Sequence, residues 1–478
     1  MVTTPPDPRR ASRLPATDLL IVALAFALVC SAAALTQPMS KAFADSEVYQ
    51  FVSEEFFQSH LPINSQVNPA WSGGGQALVA ANRIATPWLA AQMRLPVKRV
   101  FPALDARAVD SVGRDGAASF LVVNLAASAV AALLLLLFLR QFIDSAAIRG
   151  LLVVCWMTMW HSPVRWTFFY PMNVDALFMV MLIAGLLVME RLRERRPIVV
   201  ALALAPIVFA GTLVRESIVL VPASFAAAQM LAFARDRRVE RVMASAVPFF
   251  ALGAAWLLVR TIVTPVPGHA QWAEVGAILR DKPLWTWVLG WYFTFGAGVV
   301  ALTVAGHEEA RRFLRTRPEL VTHLVLCGFL GYFAGTGSDT ERLLAWAAPV
   351  VLVLAGKVIA ARRETLGRAR AVLMVLVTAQ ILSSRILWPI PLGSSSETPF
   401  SQIEPNWEGL IAVADKFLVM YSGYPNLWSF FGSREIHAAV LAFDIALTVV
   451  VIVAMNGHTL ASLLSRNRSY THGGSSRK

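Results

Sequence analysis

Charge is what this 478-residue chain has least of: 15% of its residues are Asp, Glu, Lys or Arg, 56% are hydrophobic, and the mean hydropathy is +0.59. Soluble domains carry about a quarter charged residues, so no separate soluble domain fits. Cysteine is nearly absent as well. Cys30, Cys155 and Cys327 all lie within apolar segments, which excludes a disulfide framework in the loops and any metal-type cysteine spacing. Lysine supplies only 6 of the 42 basic residues, an arginine bias that fits a GC-rich bacterial genome. The formal charge of +12 is spread over short loops between apolar runs. It therefore orients a membrane protein and does not mark a nucleic-acid surface.

What the chain has in abundance is apolar runs long enough to cross a hydrocarbon core of ~30 Å, which takes ~20 residues each. Met1 to Arg13 is polar and basic, and Asp18 to Thr36 is apolar, reading as a signal-anchor. A cleaved signal peptide competes, because Ala32 and Ala34 stand in an Ala-x-Ala arrangement after a short apolar core. Further spans are expected at Ala117 to Leu139, Ile148 to Trp166, Pro171 to Met189, Ile198 to Leu213, Ile218 to Phe233 and Val242 to Val263. They continue at Leu284 to Ala305, Leu320 to Gly335, Leu343 to Ala361, Ala371 to Trp388 and Ile436 to Met455. The expected fold is an all-α polytopic membrane protein with about 12 transmembrane helices. Residues 1–16 form a cytoplasmic tail, 17–456 a single transmembrane domain, and 457–478 a disordered basic cytoplasmic tail.

Basic residues test the topology. With a cytoplasmic N-terminus, the short inner connections and the two tails hold 26 of the 42 Lys and Arg residues, and every inner connection is basic. The longer connections then fall outside. The first, 39–116, contains Val48, Phe51, Val52 and Phe56 at helical spacing, as in a helix lying in the interface. Trp71-Ser-Gly-Gly-Gly75 breaks it, and Asn82 to Leu95 resumes a helical pattern. The last, 389–434, carries Trp407, Trp428 and Tyr421-Ser-Gly-Tyr424, which suit either an acceptor-stacking lid or interfacial anchoring.

The ionisable residues at the outer boundary are the candidate site. Asp45 and Glu47 follow the first span; Arg83 lies further along the first loop; Arg165, Tyr170 and Asp175 bracket the next outer turn. Arg215 and Glu216 sit in an otherwise apolar run, and Asp339, Glu341 and Arg342 open a later span. Charge at membrane depth is costly, so such groups face a protein interior or a watery cavity. Asp45 and Glu47 are two apart: on an extended segment they point the same way and can share a metal or divide the roles of base and orienting group, whereas on a helix they diverge. Arginine forks match phosphate, and Gly335-Thr-Gly-Ser-Asp339 adds exposed amides. A structural Arg–Asp pair between spans accounts for the same residues.

With Ala44-Asp-Ser-Glu-Val-Tyr49, Asn82-Arg-Ile-Ala-Thr-Pro-Trp88, Tyr170-Pro-Met-Asn-Val-Asp175, Leu213-Val-Arg-Glu216 and Ser338-Asp-Thr-Glu-Arg342 in view, the chain resembles the GT-C superfamily of membrane glycosyltransferases. The resemblance is one of architecture and short motifs over most of the chain. It implies a polyprenyl-phosphate-linked sugar donor, a lipid or glycan acceptor, a bacterial plasma (inner) membrane, and an extracytoplasmic site. An acidic residue of the first outer loop is catalytic in that superfamily, which falls on Asp45 with Glu47 as companion. Asp-x-Glu departs from the commoner Asp-Asp, Asp-Glu and Asp-x-Asp forms. It leaves open both a metal-free site and one with Mg or Mn on Asp45 and Glu47. Arg83, Tyr170, Asp175, Arg215, Glu216, Asp339 and Arg342 are the candidate substrate-binding residues. A lipid-linked glycan polymerase, a flippase or another multi-pass transporter is the competing class. Against a transporter stand the absence of an internal repeat and the crowding of charge at the boundary, away from the midplane.

Overall fold

The computed structural model describes residues 15–36, 44–63, 82–113, 115–264, 284–333, 340–362, 370–384 and 434–472, with the side chains of 36, 44–46, 370, 434–436 and 457–472 left aside. In chain order the helices are α1 (Ala16–Thr36), α2 (Ala44–Phe57), α3 (Ala85–Val100), α4 (Pro102–Val112), α5 (Ala117–Leu139) and α6 (Ala146–Thr158). There follow α7 (Pro163–Phe169), α8 (Asp175–Arg191), α9 (Pro197–Val214), α10 (Leu220–Asp236), α11 (Val239–Ile262) and α12 (Leu284–Ala305). The last are α13 (His307–Arg315), α14 (Pro318–Phe333), α15 (Thr340–Leu344), α16 (Ala348–Ala361), α17 (Arg370–Ser383) and α18 (Arg434–His472). Short 3-10 turns at Glu216–Val219 and Ala345–Ala347 lead into α10 and α16. Among the described residues extended pairing is limited to one bridge between Ile63 and Val263.

Eight stretches of these helices are long and apolar enough to cross a bilayer. Their burial grades from centre to edge: Thr340–Ala361 is 78% buried over its most apolar window and Leu284–Ala305 67%, against 17% for Ala16–Leu35. The outer helices turn Leu24, Leu28, Phe250, Leu257, Met374 and Val453 outward as exposed apolar side chains. In water such a surface would drive aggregation; against acyl chains it is at rest. The chain is a multi-pass helical membrane protein.

Three local features differ from the expectation. The span predicted over Ile148 to Trp166 is two helices, because Met159 leaves helical geometry and Ser162 restarts the chain as an N-cap, its hydroxyl accepting from the Val164 N–H, with Pro163 at the first position of α7. The next span begins at Asp175 and not at Pro171. The expected disordered tail is helical through His472, as α18 runs on without a stop. The connection 389–434, expected on the outer side, lies outside the described residues apart from Arg434.

Inside the membrane a broken helix must find partners for its freed backbone groups. α12 breaks at Gly296, whose φ of 75° and ψ of 159° belong to a region essentially reserved for glycine. Helix α17 repairs the break. The Gln380 side chain accepts from the Val299 N–H at 3.0 Å and donates to the Phe295 carbonyl at 2.8 Å, while the Ser383 hydroxyl accepts from the Ala297 N–H at 2.6 Å.

The ends of the bundle differ in charge. One end collects the arginine-rich turns, where Arg317 pairs with Glu190 at 3.0 Å and Arg193 donates to the Thr316 carbonyl. There too a buried pair between Asp18 and Arg149, 2.6 Å apart, ties the start of α1 to the start of α6. The other end gathers the start of α8, the end of α9 and the start of α15, with α2 and α3 packed on each other and α3 packed on α5.

The Gly296 break generates a prediction. Gly296→Ala forces an alanine into that backbone region at ~1–3 kcal/mol, and Gln380→Leu strands a buried N–H and a carbonyl at ~1–3 kcal/mol each. Both variants are expected to lower the thermal unfolding midpoint of the detergent-solubilised protein, and the double variant to lose less than the sum, since either change already damages the same junction.

Candidate functional site

Asp175 is positioned by the loop before it. Asn124, fully buried in α5, donates from its side-chain amide to the carbonyls of Pro171 (2.8 Å) and Asn173 (2.9 Å). Asn173 in turn donates to the Tyr170 carbonyl and accepts from the Asp175 N–H at 3.1 Å. The carboxylate thus stands in the first turn of α8, where the helix dipole favours negative charge.

Two arginines reach it from distant parts of the chain. Arg215 follows α9 in extended geometry and donates through Nη1 to Asp175 Oδ1 at 2.5 Å. Its turn is tight: a Cβ on Gly211 would come within 2.5 Å of the Ile218 side chain, so the chain can fold back there only with glycine. Arg342, in α15, donates through Nε to Asp175 Oδ2 at 2.7 Å and through Nη2 to Oδ1 at 3.1 Å, a fork on both oxygens. The Arg215 guanidinium also lies 4.9 Å over the Trp346 ring.

The neighbour of Arg215 begins a second set. Glu216 receives a fork from Arg83, Nη2 to Oε1 at 2.7 Å and Nε to Oε2 at 3.1 Å, and Arg83 Nη1 donates to the Tyr49 hydroxyl at 2.8 Å. One network therefore joins α2, the start of α3, the α9–α10 turn, the start of α8 and α15. Three guanidiniums face two carboxylates in it. Its depth is graded: the side chains of Arg215 and Arg83 are 4% and 9% exposed, Asp175 and Arg342 19% each, and Glu216 43%. Positive charge is sealed in, and the carboxylate of Glu216 opens outward.

Of the residues expected at a site, Arg83, Asp175, Arg215, Glu216 and Arg342 meet in this network. Tyr170 is buried in the loop that carries Asp175. Arg215 and Arg342, expected to face a phosphate, are found holding Asp175, so the Arg–Asp pairing that the sequence allowed is present. Arg165 is buried and lies 4.7 Å over the Trp160 ring. Asp339 lies outside the described residues. Asp45 and Glu47 stand on α2, not on an extended segment. At about 100° per residue, positions two apart on a helix fall about 200° apart. Position 45 lies one turn before Tyr49 on the same face of α2, the face that meets Arg83; Glu47 is half-buried. Among the described residues no three His, Cys, Asp or Glu side chains are grouped to hold a metal ion.

Tyr49, Asn124, Asn173 and Trp346 are the members that the sequence did not single out as site residues. Tyr49 had a usable signal, a phenol one turn beyond Asp45. The buried asparagines and the tryptophan had none, because their roles are set by carbonyls and a guanidinium remote in sequence. No family model and no curated protein matches the chain.

Arg83 and Tyr49 are buried, whereas Glu216 is 43% exposed, so solvent screens part of the pair. Arg83→Gln and Glu216→Gln are expected to show a coupling of ~1–3 kcal/mol in a double-mutant cycle on chemical unfolding in detergent, with Tyr49→Phe costing ~1 kcal/mol.

Proposed function

We propose that the chain is a membrane glycosyltransferase of the GT-C kind, moving a sugar from a polyprenyl-phosphate donor to a lipid or glycan acceptor. The single observation that supports this reading is the network itself: three arginines, from separate segments, are assembled beside the acid-bearing helix α2 at one end of an apolar bundle. The forks that now grip carboxylates have the geometry that suits a phosphate, and the Arg215 Nε–H makes no hydrogen bond among the described residues. In this reading the chain crosses the bilayer twelve times, the network end is extracytoplasmic, and the arginine-rich end lies in the cytoplasm of a bacterium.

The step balances without a redox partner. The acceptor hydroxyl gives its proton to the Asp45 carboxylate, its oxygen bonds the anomeric carbon, and the bond from that carbon to the phosphate oxygen breaks. The electron pair leaves with the lipid phosphate, whose charge Arg342 and Arg215 offset. Glu47 orients the sugar, and Asp175 and Glu216 hold the guanidiniums in place before the donor arrives.

The test is transfer of radiolabelled sugar from a panel of polyprenyl-phosphate donors by the full chain in proteoliposomes. Asp45→Asn should abolish transfer while leaving the protein inserted with an unchanged unfolding midpoint. Arg342→Gln should mainly raise the donor KM. Full activity in Asp45→Asn removes the catalytic assignment, and no release from any donor removes the glycosyltransferase reading.

A further inference from the structure

Both guanidiniums that grip Asp175 depend on one short segment, residues 340–347. It carries Arg342 in α15, and its Trp346 ring lies beneath the Arg215 guanidinium and against Phe178, the two ring centroids 4.7 Å apart. The segment is a five-residue helix that runs into a three-residue 3-10 turn. A helix that short does not hold its own shape, because nucleating it costs more than its one turn of hydrogen bonds returns. Neighbouring helices have to hold it.

Helix α14 meets the segment along a buried stripe of His323, Cys327 and Gly331, each one turn from the next. His323 is fully buried, and its Nε2 lies 3.0 Å from the Trp346 carbonyl oxygen, with Cys327 Sγ 3.5 Å away on the same nitrogen. A carbonyl only accepts, so the ring is the Nε2–H tautomer. In a 3-10 turn the donor to that carbonyl would be the N–H three residues on, and residue 349 is proline, which has none. The imidazole stands in for it. The arrangement has a cost, because Nδ1 is buried without a hydrogen-bond partner among the described residues. Packing alone would be served better by an apolar side chain. On the other flank the Thr294 hydroxyl stands 3.2 Å from the Glu341 carbonyl, but its one proton is drawn to the Gly290 carbonyl at 2.7 Å. His323 is the stronger tie of the two.

We propose that His323 is a positioning residue for the Asp175 network. By fixing the Trp346 carbonyl it keeps the indole under Arg215, and it keeps α15 where Arg342 can fork onto Asp175. It acts through Trp346 and not on a substrate. The consequence for donor binding rests on the glycosyltransferase reading; the seat it makes for the two guanidiniums does not.

The experiment compares His323→Leu with His323→Gln in the full chain in proteoliposomes. Glutamine carries an N–H donor that can reach the same carbonyl, whereas leucine fills the space without one. Donor KM is expected to rise about tenfold in His323→Leu with kcat within about twofold, and to return to within about twofold of wild type in His323→Gln. Leu320→Ala, a buried cavity one turn earlier in α14, is the packing control, expected to lower the unfolding midpoint with donor KM unchanged. A donor KM unmoved in His323→Leu, raised alike in both His323 variants, or raised as much in Leu320→Ala overturns the inference. A second arm needs no donor. ¹⁵N spectra of histidine-labelled protein, with the His323 signals assigned from their loss in His323→Gln, are expected to show a protonated Nε2 and a bare Nδ1. His323→Leu and Arg215→Gln are expected to lower the unfolding midpoint together by less than their sum. A protonated Nδ1, or additive losses, overturns the inference. Transfer from no donor by the wild type removes the glycosyltransferase reading alone, and the second arm then decides the seat.

Discussion

The carboxylate of Asp175, held by Arg215 on one side and Arg342 on the other, is the interaction on which this end of the molecule depends. A guanidinium in an apolar bundle is tolerable only when something negative or strongly dipolar faces it. Take the carboxylate away and two like charges are left close together with little water to screen them. The loop ahead of α8, pinned by Asn124 and Asn173, is accordingly built to place that one side chain. The fork of Arg83 on Glu216 repeats the arrangement one residue beyond Arg215, and the peptide bond between Arg215 and Glu216 makes the two sets a single unit.

Polar groups elsewhere in the bundle obey the same constraint with different means. Arg149 donates to one carboxylate oxygen of Asp18 across α1 and α6, and to the carbonyls of Ile143 and Asp144 where the chain enters α6. Gln380 and Ser383 supply to α12 the hydrogen bonds that its own break at Gly296 removed. In each case a side chain from a neighbouring helix replaces water. Tertiary packing and backbone satisfaction are therefore one requirement here, which ties the position of α17 to the irregularity of α12.

How much of this was legible in the sequence follows from what each signal depends on. Apolar length and the location of charge are local properties, so the helical membrane class and the boundary residues Arg83, Asp175, Arg215, Glu216 and Arg342 could be read directly. Pairing is not local. Arg215 and Glu216 look like an ion pair when written side by side, yet the extended backbone at Arg215 followed by a 3-10 turn sends them to different partners. The stretch from Ile148 to Trp166 has the composition of one span whether or not it is continuous; the Ser162-Pro163 cap that divides it was present in the letters and outweighed by hydropathy. Asp45 and Glu47 show the cost of an undecided local conformation, since the choice between strand and helix reverses whether the two positions share a side. For Gln380 no local signal existed, because a lone amide in a short apolar helix acquires its meaning only from Gly296 opposite.

The length of α18 has a mechanical consequence. Its 39 residues at 1.5 Å each make a rod of about 58 Å, nearly twice a hydrocarbon thickness of ~30 Å. If its apolar part, His437 to Asn456, is seated in the bilayer, the remainder stands clear of the headgroups as a stiff mast on the arginine-rich side. A tilt of the buried portion would then carry the far tip about twice as far as the point where the helix leaves the bilayer, so small rearrangements among the packed helices are transmitted outward as leverage.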